Sequence, residues 1–337
     1  MDPVGSAGRP AAVVLGAGGF VGRNVCAALR DAGRPVAAVS RTGRGLPEGC
    51  RPVALDLNRG TPADLAAALA DLRPDLVVNA AGALWNVTDE QLTASNTTLV
   101  EHLVDAVAAL PGAVRLVHIG TVYEYGAHPD AALAETLTPR PAGRYAQTKL
   151  AATEAVVRAV ARGRIDATVF RIPIAIGPHA PAAGLLGGLA RQLAARPDEV
   201  RLPPLDGVRR EIVDIRDVAD AVLCAARAGS PPPVVNIGSG TLVPVSDAVD
   251  ALIRIAAADV PAPAVLRVPA SADRRDAGAG ERPLDIALAR RALGWAPART
   301  VTDALHALWD SVHVPVPVPG HRTRPPHDHH SGRGGHP

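Results

Sequence analysis

Tyr145 and Lys149 are the residues whose types and spacing most directly indicate chemistry in this 337-residue sequence. Because they stand four positions apart, they share one face of a helix. A phenol with an ordinary pKa near ~10 exchanges protons poorly at neutral pH, but a nearby ammonium stabilises the phenolate and lowers that pKa. Thr121 ends an apolar run before them, where its hydroxyl can hydrogen-bond a substrate carbonyl. We therefore expect Thr121, Tyr145, Lys149 and Asn96 to be catalytic, with Asn96 ordering a water or a backbone carbonyl nearby.

The first apolar run of the chain leads into a glycine-rich turn, Gly16-Ala17-Gly18-Gly19-Phe20-Val21-Gly22. Gly16 permits a tight turn, while Gly18 and Gly19 let the backbone approach a pyrophosphate. Gly22 lets the following helix pack closely on the strand, and the N-terminus of that helix offers free N–H groups to phosphates. The turn predicts dinucleotide binding, and the alternative is a loop that only turns the chain.

The end of the second strand indicates which dinucleotide is bound. An NAD-binding strand ends in Asp or Glu, which accepts hydrogen bonds from the ribose 2′-hydroxyl. Here the strand ends in Ser40-Arg41, with Arg44 close behind. A hydroxyl and a guanidinium would bind a 2′-phosphate, whereas a carboxylate would repel it. We expect NADP(H) to be preferred and NAD(H) to be possible; the alternative is that Arg41 is a solvated loop residue.

Two further stretches complete the predicted cofactor site. Asp56, which closes the third strand, is placed to meet the adenine amino group or else caps the next turn. Asn79-Ala80-Ala81-Gly82 closes the fourth strand, and its small residues leave room for the cofactor. The predicted cofactor-binding residues are Gly16, Gly18, Gly19, Phe20, Val21, Gly22, Ser40, Arg41, Asp56, Leu57, Ala80, Ala81, Gly82, Tyr145 and Lys149.

These residues need elements that hold them together. The predicted strands are 11–15, 36–40, 53–55, 76–79, 114–119 and 167–171. The predicted helices include 22–32, 62–72, 90–110, 145–162, 217–228 and 246–257. Continuous apolar strands that alternate with helices predict an α/β fold: a Rossmann-type doubly wound parallel sheet with helices on both faces.

After about residue 172 the pattern becomes irregular and rich in proline. We expect an NADP-binding Rossmann domain from residues 11–172 and about 213–239, and a smaller C-terminal substrate-binding region from about 173–212 and 240–313. Residues 1–10 and 314–337 hold little that could be buried, which predicts disordered tails. The five histidines of the C-terminal tail indicate a polar tail rather than a metal site, because no cysteine or acidic cage accompanies them.

Composition excludes several classes of protein. Hydrophobic residues make up 47% and charged residues 20% of the chain, and the net charge is +2, which is typical neither of a disordered chain nor of a nucleic-acid-binding protein. The three cysteines lie far apart and are odd in number, which excludes a full disulfide framework and favours a reduced, cytoplasmic setting. We predict no membrane span, because no stretch is long and apolar enough.

Together these motifs resemble the extended short-chain dehydrogenases/reductases of the NAD-dependent epimerase/dehydratase family, over roughly residues 11–312. Segments 170–173, 210–219, 236–240 and 293–297 add to the resemblance. It implies a nucleotide-sugar substrate, the catalytic triad Thr121, Tyr145 and Lys149, and a possible homodimer through helices 90–110 and 145–162. Arg210 and Arg274 match positions where members of the family bind the nucleotide diphosphate, a task that suits a charged, bidentate guanidinium.

Departures from the family pattern indicate the reaction. Dehydratases of the family carry Thr-Asp-Glu at the strand end, whereas this chain reads Thr121-Val122-Tyr123-Glu124. Val122 and Tyr123 cannot act as acid and base for water elimination. Epimerases of the family retain NAD, whereas Arg41 favours NADPH, a reductant consumed in each turnover. We therefore predict an NADPH-dependent ketoreductase that acts on a nucleotide-activated keto sugar, with a nucleoside-diphospho-4-keto-6-deoxyhexose as the best candidate substrate.

Three alternatives stay open. They are an epimerase of nucleotide sugars with retained NAD(P), a reductase of a non-sugar ketone or aldehyde, and a non-catalytic NADP(H)-sensing module. Such modules commonly lack the Tyr/Lys pair. Ile174 stands where many family members place an asparagine that holds substrate phosphate. The predicted substrate-binding residues are Trp85, Tyr123, Ile174, His179, Arg210 and Arg274.

Overall fold

The computed structural model describes residues 11–129, 132–268 and 282–313. The two predicted tails and Arg274 lie outside these ranges. Seven strands form the central sheet: β1 (Ala11–Leu15), β2 (Val36–Ser40), β3 (Arg51–Ala54), β4 (Pro74–Asn79), β5 (Arg115–Thr121), β6 (Asp166–Ile172) and β10 (Val234–Asn236). They run parallel in the order β10-β6-β5-β4-β1-β2-β3.

Helices cover both faces of this sheet. One face packs against α1 (Phe20–Asp31) and α7 (Ile215–Arg227), and the other against α2 (Pro62–Leu72), α4 (Leu99–Ala108) and α5 (Gly143–Ala161). Each face of the sheet has its own apolar core, and consecutive strand residues point to opposite faces. Val14 lies in the core on the side of α1 and α7, Val13 lies in the core on the side of α2, α4 and α5, and both are fully buried. Burial on both faces explains why these strands are continuously apolar. The predicted doubly wound, Rossmann-type sheet is confirmed.

The chain order of the strands creates a crevice. From the central β1, the chain passes to β2 and β3 on one side and then to β4, β5, β6 and β10 on the other. Such a switch point leaves an opening beyond the carboxyl ends of the strands, where ligands of open α/β sheets bind. Gly16, Ser40, Asn79 and Thr121 all lie at or just beyond these strand ends.

A second set of elements follows the sixth strand. Its strands are β7 (Ile174–Ile176), β8 (Glu199–Leu202), β9 (Arg209–Asp214), β11 (Leu242–Pro244) and β12 (Ala264–Arg267), and its helices include α6 (Leu185–Ala194), α8 (Val245–Ala256) and α10 (Val301–Val312). Strands β11, β9 and β7 form one small sheet, and β12 pairs with β8. These elements surround an apolar core of their own, which includes Leu189, Leu252 and Leu308.

Two features differ from the sequence prediction. The predicted helix 90–110 consists of α3 (Asp89–Thr93), a π-helical segment (Ala94–Thr98) and α4. Such a segment holds an extra residue per turn, which apolar periodicity does not reveal. The seventh strand, β10, was not predicted because it has only three residues and follows three prolines; its pairing with β6 makes it a strand. The remaining helix, α9 (Ala287–Leu293), packs against α7.

We predict that Gly22→Ala separates α1 from the sheet. A Cβ at Gly22 would lie 2.3 Å from the carbonyl oxygen of Gly16 and 2.8 Å from the Cα of Ala17, so the helix would have to move. We expect the free energy of unfolding to fall by about 1–3 kcal/mol or more, as measured by urea denaturation. The matched control is Gly18→Ala, whose Cβ would meet nothing nearer than 3.9 Å and should leave stability unchanged. Equal stability of the two variants would contradict the close packing.

Candidate active site

Lys149 joins the helix that carries Tyr145 to the strand that ends in Thr121. Its Nζ donates a hydrogen bond of 2.5 Å to the carbonyl oxygen of Ile119, two residues before the end of β5. Tyr145, one turn earlier on α5, is half-buried and contacts Tyr123 edge to face, with ring centroids 6.4 Å apart. Thr121 itself is buried, and its hydroxyl accepts a hydrogen bond from the backbone N–H of Tyr123 at 3.4 Å. The predicted catalytic residues thus meet at one edge of the sheet.

Lys149 is the only lysine in the sequence, and it is 5% exposed. Burial lowers the pKa of its ammonium from 10.5 to about 8, while the carboxylate of Glu124 acts in the opposite direction. The ammonium therefore keeps its proton at neutral pH. A positive charge four residues from Tyr145 stabilises the phenolate and so lowers the pKa of the phenol, which acid–base chemistry by Tyr145 at neutral pH requires.

Glu124 and Arg171 form a buried ion pair behind Thr121. The Glu124 carboxylate accepts the backbone N–H of Thr121 at 2.9 Å and the Nε–H of Arg171 at 2.9 Å. The Arg171 guanidinium lies over the ring of Tyr125, 4.4 Å from its centroid. The Tyr125 hydroxyl in turn donates to the side-chain oxygen of Asn236 at 2.8 Å. This network fixes the backbone of Thr121 relative to β6 and β10.

Asn96, in the π-helical segment, holds two parts of the site together. Its side-chain oxygen accepts the backbone N–H of Ala83 at 2.8 Å, and its amide donates to the Ala83 carbonyl at 2.9 Å and to the Thr148 hydroxyl at 3.3 Å. The neighbouring Thr97 hydroxyl donates to the Thr148 carbonyl at 2.9 Å. Asn96 therefore orders a backbone, one of the two roles expected of it, and we describe it as a positioning residue.

The glycine turn has the features of an anion-binding site. Gly19 begins α1 without a side-chain cap, whereas Thr61 and Thr300 cap α2 and α10 with their hydroxyls. Uncapped N–H groups at a helix N-terminus suit a phosphate. Gly18 is exposed and a Cβ there would meet nothing nearer than 3.9 Å, whereas Gly16, at φ +74°, lies against the backbone that follows β4. The residues present therefore fit a bound dinucleotide.

The segment after β2 carries the residues predicted to select NADP(H). Arg41 and Arg44 are exposed, while the Ser40 hydroxyl accepts the backbone N–H of Gly43 at 3.0 Å and so shapes the loop. Sequence reasoning missed Arg23, whose Nε–H donates to the Gly18 carbonyl at 3.0 Å and whose Nη2 donates to the Gly45 carbonyl. The sequence feature that could have indicated Arg23 is its position directly after Gly22, the last glycine of the turn.

Other predicted cofactor residues lie around this crevice. Asp56 is half-buried; it accepts the backbone N–H of Asn58 at 3.1 Å and lies 3.6 Å from the guanidinium of Arg59. Leu57 is also half-buried. Gly82 approaches Asn96 so closely that a Cβ would lie 2.9 Å from its side-chain oxygen. Ala80 and Ala81 contact Gly16, as the close approach of the turn requires.

His118 is a buried neighbour of Lys149. Asn79 accepts the backbone N–H of Ala81 at 3.1 Å through its side-chain oxygen, so its amide faces Nδ1 of His118, also at 3.1 Å. Burial lowers the pKa of His118 well below its ordinary value, and the charge of Lys149 acts in the same direction. The imidazole is therefore neutral, and Lys149 supplies the positive charge beside it.

The predicted substrate residues are more widely distributed. Trp85 is 46% exposed after β4, Ile174 is half-buried in β7, and Arg210 in β9 donates to the Arg209 carbonyl at 2.8 Å. His179 lies against α10, where its backbone N–H donates to the Ser311 hydroxyl at 3.0 Å. Tyr123 is the member of this set that contacts a predicted catalytic side chain in the structure, since its ring meets that of Tyr145.

Comparison with known families decides the assignment. Residues 12–238 match the sequence model of the NAD dependent epimerase/dehydratase family. The chain belongs to this family. It is an NAD(P)-dependent enzyme of the oxidoreductase type, as predicted from the sequence.

The chain is similar in sequence to two characterised proteins, and it shares its fold with a solved structure. It is 42% identical over 302 residues to dTDP-6-deoxy-L-talose 4-dehydrogenase (NAD(P)(+)) of Kitasatospora kifunensis, covering 88% of this chain and 93% of that protein. It is 26% identical over 334 residues to UDP-glucose 4-epimerase of Azospirillum brasilense, covering 89% and 91%. RMD of Pseudomonas aeruginosa, solved with NADPH, shares the fold at TM-score 0.73 and 24% identity, over 90% of this chain and 99% of that one.

The described parts of this epimerase/dehydratase family member show two further properties. Within residues 11–129, 132–268 and 282–313, no helix is both long and apolar enough to cross a bilayer. In the same ranges, no group of three or more His, Cys, Asp or Glu side chains is arranged to hold a metal ion.

We predict that replacing Lys149 by methionine stabilises the ligand-free protein more at pH 7 than at pH 10. Below pH 8 both the folded and unfolded chains carry the ammonium, so the cost of burying the charge is complete. Between pH 8 and 10.5 the unfolded chain binds more protons, so wild-type stability rises with pH relative to the variant. This pKa difference corresponds to on the order of 3 kcal/mol.

Urea unfolding of both proteins at the two pH values measures the effect. Lys149→Arg is the matched control, because a guanidinium stays charged throughout and should not show this pH dependence. A constant difference between wild type and Lys149→Met would contradict a pKa of about 8.

Proposed function

We propose that this enzyme reduces the 4-keto group of a nucleotide-activated 6-deoxyhexose, with NADPH as the preferred hydride donor. The observation that carries the proposal is the buried Lys149 one helical turn from Tyr145, both at the strand end that carries Thr121. The similarity to a dTDP-6-deoxy-L-talose 4-dehydrogenase supports the substrate class. Oxidation of an alcohol with NAD(P)+ and reduction of the ketone with NAD(P)H are the two directions of one reaction.

Each residue has one role in this reaction. The nicotinamide, when bound, supplies the hydride to the carbonyl carbon. Tyr145 donates its phenolic proton to the carbonyl oxygen, which balances the charge that the hydride brings. Lys149 stabilises the phenolate that forms, and the Thr121 hydroxyl hydrogen-bonds the carbonyl oxygen and orients it.

The environment of Glu124 argues against a dehydratase. Water elimination needs a free acid and a free base beside the sugar, but the Glu124 carboxylate is fully buried and bonded to Arg171 and to the backbone of Thr121. Val122 is buried and apolar, and Tyr123 contacts Tyr145 through its ring. The strand end therefore suits proton donation to a carbonyl.

An epimerase is the second candidate, since the chain is also similar to a UDP-glucose 4-epimerase. An epimerase would copurify with bound NAD(P) and interconvert two sugars without added reductant. A reductase consumes one NADPH for each sugar. The ratio of cofactor to product therefore separates the two functions.

Three further properties belong to the same proposal. They are a homodimer through helices 90–110 and 145–162, a cytoplasmic location, and the division into a Rossmann domain and a substrate-binding region. The exposed Arg41 and Arg44, with Arg23 between the glycine turn and the following loop, support the preference for NADP(H). A 2′-phosphate would find several guanidinium groups at this end of the crevice.

We expect purified enzyme to oxidise NADPH when a dTDP-4-keto-6-deoxyhexose is added, as followed by the loss of NADPH absorbance. Tyr145→Phe should lower kcat by about 10²–10⁴-fold, because the proton donor is lost while the ring stays. Tyr125→Phe is the matched control: it loses the bond to Asn236 but keeps the ring that lies against Arg171, so kcat should fall less than tenfold. Undiminished turnover of Tyr145→Phe would refute the mechanism, and the absence of NADPH oxidation with any nucleotide sugar would refute the substrate class.

We expect Arg41→Ala to lower the preference for NADPH over NADH. The ratio of the two kcat/KM values should fall about tenfold, which corresponds to the loss of ~1.4 kcal/mol of contact with the 2′-phosphate. Arg34→Ala is the matched control, because Arg34 precedes β2 at the opposite edge of the sheet and pairs with Asp75. A ratio that is unchanged in Arg41→Ala would show that this arginine is a solvated loop residue.

A further inference from the structure

Two of the three cysteines meet in the folded chain although 24 positions separate them. Cys26 lies on α1 and is fully buried, and Cys50 is a half-buried residue directly before β3. Both belong to the same apolar cluster, and their thiols interact with each other. Cys224, on α7, packs against the same cluster, but besides burial the charged side chains that shift the pKa of its thiol are Arg227 and Asp220, and neither of the other two cysteines is among them.

Side chains on one face of α1 bind the backbone of residues 45–48, which precede Cys50. Arg23, Cys26 and Arg30 are spaced three and four residues apart, so they lie along one side of the helix. Arg23 donates to the Gly45 carbonyl, and the Nη1 of Arg30 donates to the Glu48 carbonyl at 2.9 Å. Two guanidinium groups therefore fasten residues 45–48 to the helix, and this places Cys50 against Cys26.

The two thiols differ in accessibility. Burial raises the pKa of both, and it does so much more for Cys26 than for Cys50. Contact with Cys26 and the charge of Arg30 both act to lower the pKa of Cys50. Because a thiolate is the attacking species in disulfide exchange, Cys50 is the thiol that reacts first with an oxidant from solvent.

We propose that Cys26 and Cys50 are a reversible dithiol/disulfide site that fastens residues 41–50 to α1. The oxidant is a small disulfide of the glutathione class. The Cys50 thiolate attacks one of its sulfurs and expels the first thiolate, which leaves a mixed disulfide on Cys50. The Cys26 sulfur then attacks the Cys50 sulfur, transfers its proton to solvent and expels the second thiolate. Two protein thiols are oxidised, and one small disulfide is reduced to two thiols.

The bond would act on the cofactor end of the crevice. The fastened segment includes Arg41 and Arg44, two residues to which the proposed function assigns the 2′-phosphate, and this consequence rests on that proposal. A bond between sulfurs keeps the loop in the arrangement in which Arg23 and Arg30 already hold it. A loop ordered in advance binds its ligand with a smaller loss of conformational entropy. Oxidation should therefore tighten the binding of NADPH.

Peptide mapping tests the bond itself. The full chain is incubated with oxidised glutathione, its remaining thiols are blocked, and it is digested with trypsin without reduction. The three cysteines fall in three separate tryptic peptides, 24–30, 45–59 and 217–227. We expect 24–30 linked to 45–59, two thiols lost per chain and their full recovery with dithiothreitol. Cys224→Ser should behave like wild type, whereas Cys50→Ser and Cys26→Ala should form no link.

Glutathione attached to Cys50 without a link, or links that include Cys224, would overturn the proposal. Because Cys26→Ala and Cys50→Ser remove the bond from either side, a folding defect in one variant leaves the other to decide. The melting temperature gives a second readout. Oxidised wild type should melt at least about 4 °C above reduced wild type, because a closed loop of this size restricts the unfolded chain.

Direct NADPH binding, followed by the fluorescence of the dinucleotide, tests the consequence without any sugar. Oxidised wild type should bind NADPH about threefold or more tighter than reduced wild type, and Cys50→Ser should show no response to oxidant. An unchanged or weaker affinity in the linked protein would overturn the effect on the cofactor site. Since no substrate is present, this result is independent of whether the enzyme reduces a keto sugar.

Discussion

The buried ion pair of Glu124 and Arg171 is the interaction on which the arrangement of the active site depends. Removal of either charge would leave the other uncompensated in the interior, which typically costs several kcal/mol. The pair therefore holds the end of β5 against β6 in one geometry. Because the same carboxylate accepts the backbone N–H of Thr121, the direction of the predicted catalytic hydroxyl follows from this pairing.

The same carboxylate also influences the only lysine. Burial favours the neutral amine of Lys149, and the negative charge of Glu124 favours the ammonium. The balance leaves a protonated group beside Tyr145 at neutral pH. One buried anion thus has two effects: it holds the strand end in place, and it favours the charged form of Lys149 that the proposed mechanism needs beside Tyr145.

The two ends of the crevice are held by different kinds of contact. At the reaction end, buried charges and the amide of Asn96 lock α5 to the sheet and to the backbone of Ala83. At the end with the glycine turn, the guanidinium groups of Arg23 and Arg30 attach a surface loop to α1, and Cys50 packs against the apolar cluster that contains Cys26. Exposed contacts of this kind are weaker and more easily altered than buried ones. The proposed proton-transfer residues therefore lie at the end held by buried contacts, and the residues proposed to bind the 2′-phosphate lie at the other end.

The sequence by itself determined the local features of this protein. The glycine turn, the continuous apolar strands and the four-residue spacing of Tyr145 and Lys149 depend on neighbours within a few positions, so they predicted the Rossmann-type sheet, the dinucleotide crevice and the family. Tertiary structure decided what distant residues do for one another. Glu124 meets Arg171 47 positions away, and Cys26 meets Cys50, contacts that depend on which strands lie side by side rather than on any local pattern. The π-helical turn that aims Asn96 at Ala83 is likewise set by packing between elements, because an extra residue in a turn leaves no period in the sequence.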